Sequence, residues 1–444
     1  MGYLIQKARV QSAEAPYNFQ MKEVAISDEG QIEAVSRTLA SAAYPSSSYE
    51  RIDASGRVLL PGLVNAHSHA PMSLLRGVGD DLQLAKWLLT AMWPREARMD
   101  EKTIGIGARL AACEMIRSGI TCFNDMYFHM DAIADAVDSS GLRAVLGYSM
   151  IDRVKSGEKI EFDFTGKGKR ELDIGEKFAK RWMGKANGRI TTSISPHAPH
   201  TCSQELLGAS ARLAKRLGVH LHIHAAETRT ELAEVLSMTK KRPIDYLDDC
   251  GLLGPRTVLA HGVYASKSEI SLIAKRGSSV AHCPVSNLKL ASGGSAPIPE
   301  MLAAGVNLSL GTDGAASNNS LDIFQSMKVG AIEQKNSRFD ASAVKADDYL
   351  RMGAAGGAQA LGLKTGRIAC GYAADLILLD ARSPNLVPFH DNAGWLVYAA
   401  GPQNVTDVMV AGKWLMRGRK LLTLDEEKII EEGQKAAERI AEKA

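Results

Sequence analysis

The chain has 444 residues, 45% hydrophobic and 23% charged, a globular balance that excludes a disordered, collagenous or coiled-coil protein. Its 53 Lys and Arg against 50 Asp and Glu leave a formal charge of +3, which argues against the cationic face that nucleic-acid binding needs. Six cysteines with no CxxC pair and no regular spacing read as buried or free thiols in a reducing compartment.

Taken in chain order, residues 1–58 carry strand-like pieces at 3–8, 24–26 and 31–35, broken by polar turns. The pattern then changes. Eight short apolar, β-branched runs are expected as strands at 63–69, 121–127, 143–150, 190–198, 219–227, 257–263, 278–284 and 307–314. Stretches with helical spacing separate most of them, among them 103–118, 204–217, 267–275 and 299–304. Alternating strand and helix means parallel strands with crossover helices, and eight such units imply an α/β fold, a (β/α)8 TIM barrel over residues 59–365. A doubly wound sheet is the rival, but no strand leads into a GxGxxG turn, and Gly105 and Gly107 fall inside a helical pattern. Strand-like runs return at 366–368, 374–379 and 405–415, with Gly412 near a hairpin turn. The two β-rich ends, 1–58 and 366–444, are expected to join as one small β-sandwich closed by an amphipathic helix from about Asp425. No apolar run is long enough for a bilayer and no export signal is seen, so a cytoplasmic protein without membrane contact is expected.

The expected strands begin apolar, and most end in an ionisable or coordinating side chain. In order these are His67 and His69, Asp125, Tyr148, His197, His224 with Glu227, His261, His282 and Asp313. Barrels of this kind build their active sites at those ends, and scattered structural histidines have no reason to collect there. Residues i and i+2 of a strand point to one side, so His67 and His69 converge on a point that suits a zinc-like cation. Alone, such a pair reads equally as two hydrogen-bonded histidines. Of His220, His222 and His224, only the last is placed to reach the barrel mouth, leaving the others as supporting or core residues. Glu227 lies just past the strand end, where a carboxylate can shuttle protons, although a helix start would also use one. Asp313 can complete three imidazoles and leave a position for water, which His261 can hydrogen-bond; singly, each could be a cap or turn residue. A two-metal site would need a bridging group such as a carboxylated lysine, and the run Ser195-Pro196-His197-Ala198-Pro199-His200 has none. One divalent metal per chain is expected, zinc by its donor set, with iron or manganese compatible. No GxSxG elbow, Walker loop or kinase motif set is present.

With PGLVNAHSHAPMSLLRG at 61–77, HIHAAE at 222–227, LAHGV at 259–263, LGTDGAASNNS at 310–320 and GRIACGYAADLILLD at 366–380, the chain resembles the amidohydrolase superfamily. Within it, HAPMSLLRGVGDDLQLAKWL at 69–88, SPHAPHTCS at 195–203 and SNLKLASGG at 286–294 are similar to the 5'-methylthioadenosine/S-adenosylhomocysteine deaminases. That resemblance implies metal ligands His67, His69, His224 and Asp313, Glu227 as proton shuttle, and His261 orienting the attacking water. It further implies that His197 bonds the purine, Ser317 contacts the ligand near Asp313, Glu96 binds the ribose hydroxyls and Trp87 packs on the substrate, with His282 in support. The implied reaction is hydrolytic deamination of an adenosine-type nucleoside to its inosine analogue, by a homo-oligomer. Tyr148 stands where relatives accepting S-adenosylhomocysteine carry an arginine, which favours adenosine, 5'-deoxyadenosine or 5'-methylthioadenosine; Arg153, Lys155 or Lys169 could substitute for the missing cation. A guanine, pterin or s-triazine hydrolase would share the metal ring, and a catalytically silent scaffold is the alternative of another class. The complete set of ligands with Glu227 argues against the scaffold.

Overall fold

A computed structural model describes residues 1–82, 86–156 and 159–442. Eight parallel strands follow one another in the central sheet: Leu63–His69, Ile120–Tyr127, Arg143–Met150, Ile190–Pro196, His220–Ala225, Thr257–His261, Ser279–His282 and Asn307–Leu310. The eighth is interrupted at Gly311-Thr312 and resumes as Asp313–Gly314. Its first part pairs with Ser279–His282, and its second pairs with the first strand through Asp313 opposite Ser68 and Gly314 opposite His69. This closes the sheet into a barrel, and the closure sets Asp313 beside His67, Ser68 and His69 at the end of the first strand.

The crossover helices are delimited by their caps. Ser203 caps Gln204–Leu217 by accepting from the Leu206 amide, and Gly218 ends it with φ of 69°. Ser266 and Glu269 form a reciprocal capping box at Lys267–Arg276, which closes on Gly277. Glu101–Arg117 and Ile298–Ala303 lie within two residues of their expected bounds. Four expected strands, 190–198, 219–227, 257–263 and 278–284, end two residues early, and in the first two of these His197 and Glu227 sit just beyond Pro196 and Ala225 instead of on the strands. A hairpin, Arg153–Ser156 with Lys159–Phe162, follows the third strand and carries no apolar alternation that would have announced it. The side chain of Lys155 lies outside the described residues.

The chain ends form a separate nine-stranded, mainly antiparallel sheet. Its order runs from Lys420–Leu421 through Lys413–Arg417, Val405–Val410, Leu376–Asp380, Arg57–Pro61, Gly2–Gln11 and Phe19–Ile26 to Ile32–Ser36, with Tyr49–Asp53 also on Gly2–Gln11. The run at 366–368 forms no strand. The pairing of Arg57–Pro61 with Leu376–Asp380 joins the two ends, and Ile5, Val24, Ile26, Leu59, Leu376 and Leu378 belong to a core of its own. One buried ion pair ties this sheet to the barrel. Arg143, at the start of the third strand, donates twice to Asp375, at 2.8 and 3.0 Å, and the Ala411 amide adds a third bond at 2.8 Å. The terminal helix Glu426–Glu442 packs on Glu101–Arg117, where Arg117 forks onto Glu426. Among the described residues no helix is long and apolar enough to cross a membrane.

Candidate metal centre and active site

Three strand ends bring four coordinating side chains to one point. His224 Nε2 lies 3.2 Å from His69 Nε2, and Asp313 Oδ1 lies 3.4 Å from His67 Nε2 and 3.3 Å from His69 Nε2. Donors held about 2.0–2.1 Å from a tetrahedral cation stand about 3.3 Å apart, so these are the edges of a coordination polyhedron. The opposite ring nitrogens fix the tautomers. His69 Nδ1 donates to the Met126 carbonyl and His224 Nδ1 to the His197 carbonyl, both at 2.7 Å, and a carbonyl can only accept. The Nε2 lone pairs of both rings therefore face each other. His67 is paired through Nδ1 with His222 Nε2 at 2.9 Å, and its own Nε2 is buried without a hydrogen-bond partner. Such a convergence of lone pairs is repulsive until a cation neutralises it, and this is the fit a divalent metal requires. Burial lowers His67 to about 4 and His224 well below its usual value, so both rings are neutral at physiological pH and free to act as metal donors.

Asp313 supplies the negative charge. Burial alone would raise it, but His67, His69 and His261 together hold it well below the usual carboxylate range. Its other oxygen, Oδ2, accepts from Ser286 Oγ at 2.6 Å and Ser317 Oγ at 2.8 Å, which turns Oδ1 toward the imidazoles. Ser317 is thus placed against Asp313 itself.

Glu227 and His261 face each other across the same space, Oε2 to Nε2 at 3.8 Å. Burial, reinforced by Asp313, pushes Glu227 up to about 8, so without a cation it carries a proton at neutral pH. A bound cation would pull that value down. Glu231, which sequence reasoning passed over, holds this loop: its carboxylate accepts from the Ala226 and Glu227 amides at 2.8 and 2.7 Å. The spacing Thr228-x-x-Glu231 was the available signal, since a capping pattern there directs the carboxylate back toward the helix start. Asn287 fixes His261 by contacting Nδ1 at 3.1 Å, and burial lowers His261 below its ordinary value. Ala226, His261 and Asp313 adopt positive φ of 54°, 77° and 63°. Left-handed backbone at three non-glycine residues is strain kept where the side chains must be aimed.

The remaining candidates fall around this centre at different distances. His197 is half-buried, lowered by burial to about 3, and its Nδ1 engages Thr201 at 2.9 Å. Glu96 reaches the centre through Tyr127, whose hydroxyl donates to it and whose ring lies 6.1 Å from that of His69. Trp87 is 4% exposed and donates from Nε1 to the Val78 carbonyl at 3.2 Å. Tyr148 pairs with the Glu171 carboxylate, and burial with that carboxylate raises its hydroxyl well above the usual range. His282 is buried with both ring nitrogens unpartnered. Asp125, named above only as a strand end, accepts from Ser68 Oγ and the Ala70 amide, so it braces the strand end that carries His67 and His69.

Residues 58–415 match the family described as the amidohydrolase family. The chain is 46% identical over 389 residues to a 5'-deoxyadenosine deaminase of Methanosarcina mazei, covering 88% of each chain. It is 45% identical over 386 residues to a 5-methylthioadenosine/S-adenosylhomocysteine deaminase of Archaeoglobus fulgidus, covering 87% of this chain and 88% of that one. In structure it resembles an adenosine deaminase from Xanthomonas campestris with bound zinc, at a TM-score of 0.90, 36% identity and coverage of 99% and 98%. Fold, donor ring and sequence agree, and the chain belongs to the amidohydrolase family.

Proposed function

We propose that the chain is a metal-dependent deaminase of adenosine-type nucleosides, with 5'-deoxyadenosine, 5'-methylthioadenosine or adenosine as substrate. The observation that carries it is the Glu227 carboxyl, 3.8 Å from His261, standing beside a ring of three imidazoles and one carboxylate. Relatives and structural neighbour bear names of the same chemistry. A divalent metal, zinc by its donors with iron or manganese compatible, would be held by His67, His69, His224 and Asp313 and would supply an activated water.

The chain's own residues move the protons. Glu227 gives its proton to a purine ring nitrogen as oxygen adds to C6, and Asp313 accepts the proton lost by the water. His261, held by Asn287, hydrogen-bonds that oxygen as charge develops on it. The proton held by Asp313 passes through Glu227 to the amine, the C6–N bond breaks as the new C6 hydroxyl gives its proton to Glu227, and ammonia and the inosine analogue leave. His197 bonds the purine and Glu96 the ribose hydroxyls in this reading. Where an arginine would grip an amino-acid carboxylate, Tyr148 pairs with Glu171, and Arg153 is already paired with Glu234 at 2.8 Å. Both arrangements favour an uncharged 5' substituent over S-adenosylhomocysteine.

The test is ammonia release from a panel of adenosine, 5'-deoxyadenosine, 5'-methylthioadenosine, S-adenosylhomocysteine, guanine and a triazine. Turnover of the three uncharged nucleosides ahead of the rest supports the reading, and preference for guanine or the triazine overturns it. Chelation should abolish activity, and one equivalent of zinc per chain should restore it; full activity at under half an equivalent of metal would count against the site. Glu96→Ala should impair nucleosides by about tenfold to a hundredfold and spare free bases, the loss expected for a charge-assisted hydrogen bond. An equal effect on both would remove the ribose from that position.

A further inference from the structure

The motif segments around the site also contain residues with no part in the chemistry: Asp80, Lys289 and Asn319. Far apart in sequence, they meet beside the site. Lys289 Nζ donates to Asp80 Oδ1 at 2.6 Å, to the Ala316 carbonyl at 3.0 Å and to Asn319 Oδ1 at 2.9 Å. All three ammonium protons are used. Asn319 Nδ2 closes the triangle by donating to Asp80 Oδ2 at 2.8 Å. The Lys289 ammonium also holds the Asp80 carboxyl below its ordinary range.

Each corner leads to a different wall of the site. Asn319 follows Ser317, which donates to Asp313. Lys289 ends the short helix Pro284–Lys289, whose Ser286 and Asn287 hold Asp313 and His261. Asp80 ends the Val78-Gly79-Asp80 turn on which Trp87 rests. The Val78 carbonyl takes the indole proton, and Gly79, at φ of 71°, lies so close that a Cβ would stand 2.5 Å from Ala91 Cβ and 3.2 Å from Trp87 Cδ1. Trp87 in turn opens the helical run that ends at Glu96.

We propose that Lys289, through Asp80 and Asn319, is a positioning residue that ties the Trp87–Glu96 wall of the nucleoside pocket to the Asp313–Asn319 loop. The proposal rests on the reading of the site as a nucleoside deaminase. Breaking the tie leaves the metal ligands and Glu227 with their own hydrogen bonds, so substrate and transition state should lose binding together, raising KM more than it lowers kcat.

Lys289→Met should raise KM for 5'-deoxyadenosine about tenfold with kcat within about threefold, the size expected for a part-sheltered charged hydrogen bond. Asp80→Asn should act in the same direction. The double variant should be no worse than the poorer single one, because both break one link. Lys289→Arg should recover most of the KM. Hydrogen exchange adds a readout independent of turnover: the amides of 86–96 should exchange faster in Lys289→Met, while those of Thr257–His261 stay unchanged. Unchanged KM in both single variants, additive losses in the double, or unchanged exchange at 86–96 would overturn the proposal. Should the parent enzyme deaminate no nucleoside, the functional reading fails and exchange alone decides the tie.

Discussion

Glu227→Gln is expected to lower turnover by about 10²- to 10⁴-fold, the range of a positioned acid–base group, while metal content stays at the parent level. The reason lies in what the substitution leaves untouched. The backbone amide of residue 227 still reaches Glu231, and the donor atoms proposed to hold the cation belong to His67, His69, His224 and Asp313. Glutamine has the size of the acid but no proton to give. Because the native group is a carboxyl buried next to Asp313, replacing it by a neutral amide should leave thermal stability equal or higher. Activity within a few-fold of the parent would remove Glu227 from the proton path.

The largest stability effect is expected at the junction of barrel and chain-end sheet. Asp375→Ala strands the Arg143 guanidinium, only 11% exposed, without its two charge-assisted bonds, and also releases the Ala411 amide. Loss of one partner from a buried pair costs about 3–5 kcal/mol, read as a fall in the denaturant midpoint. A double variant, Arg143→Met with Asp375→Leu, should recover much of that loss because no buried charge remains unpaired. A fall below about 1 kcal/mol in Asp375→Ala would show that water reaches the pair and screens it.

The readable parts of the sequence were those where one residue breaks a pattern. His67, His224, His261 and Asp313 interrupt or end apolar strands, and a polar side chain there is conspicuous against Val, Ile, Leu and Ala. The third barrel strand, Arg143–Met150, and the helix Gln204–Leu217 matched their expected bounds because periodicity and caps agree. The strand Tyr49–Asp53 and the hairpin at Arg153–Ser156 are short and polar, so pairing partners define them and pattern does not. The same holds for Asn287, Glu231 and Lys289. Each acts through one long-range hydrogen bond or a local return to backbone, and such contacts have no period along the chain. Tyr127 was hidden more simply: it ends a strand as an aromatic residue, which reads as core until Glu96 is seen against it.

The joining of the first strands to the last has a consequence for how the protein is made. Arg57–Pro61 leaves the ribosome long before its partner Leu376–Asp380 exists, and Arg143 waits 232 residues for Asp375. At ordinary synthesis rates of 5–20 residues per second, that wait is on the order of ten to fifty seconds. During it an apolar strand edge stands open to other nascent chains. The metal centre has its own delay, since His67 and His69 meet Asp313 only when the barrel closes. The full ring of His67, His69, His224 and Asp313 is therefore assembled only after the last barrel strand has been made.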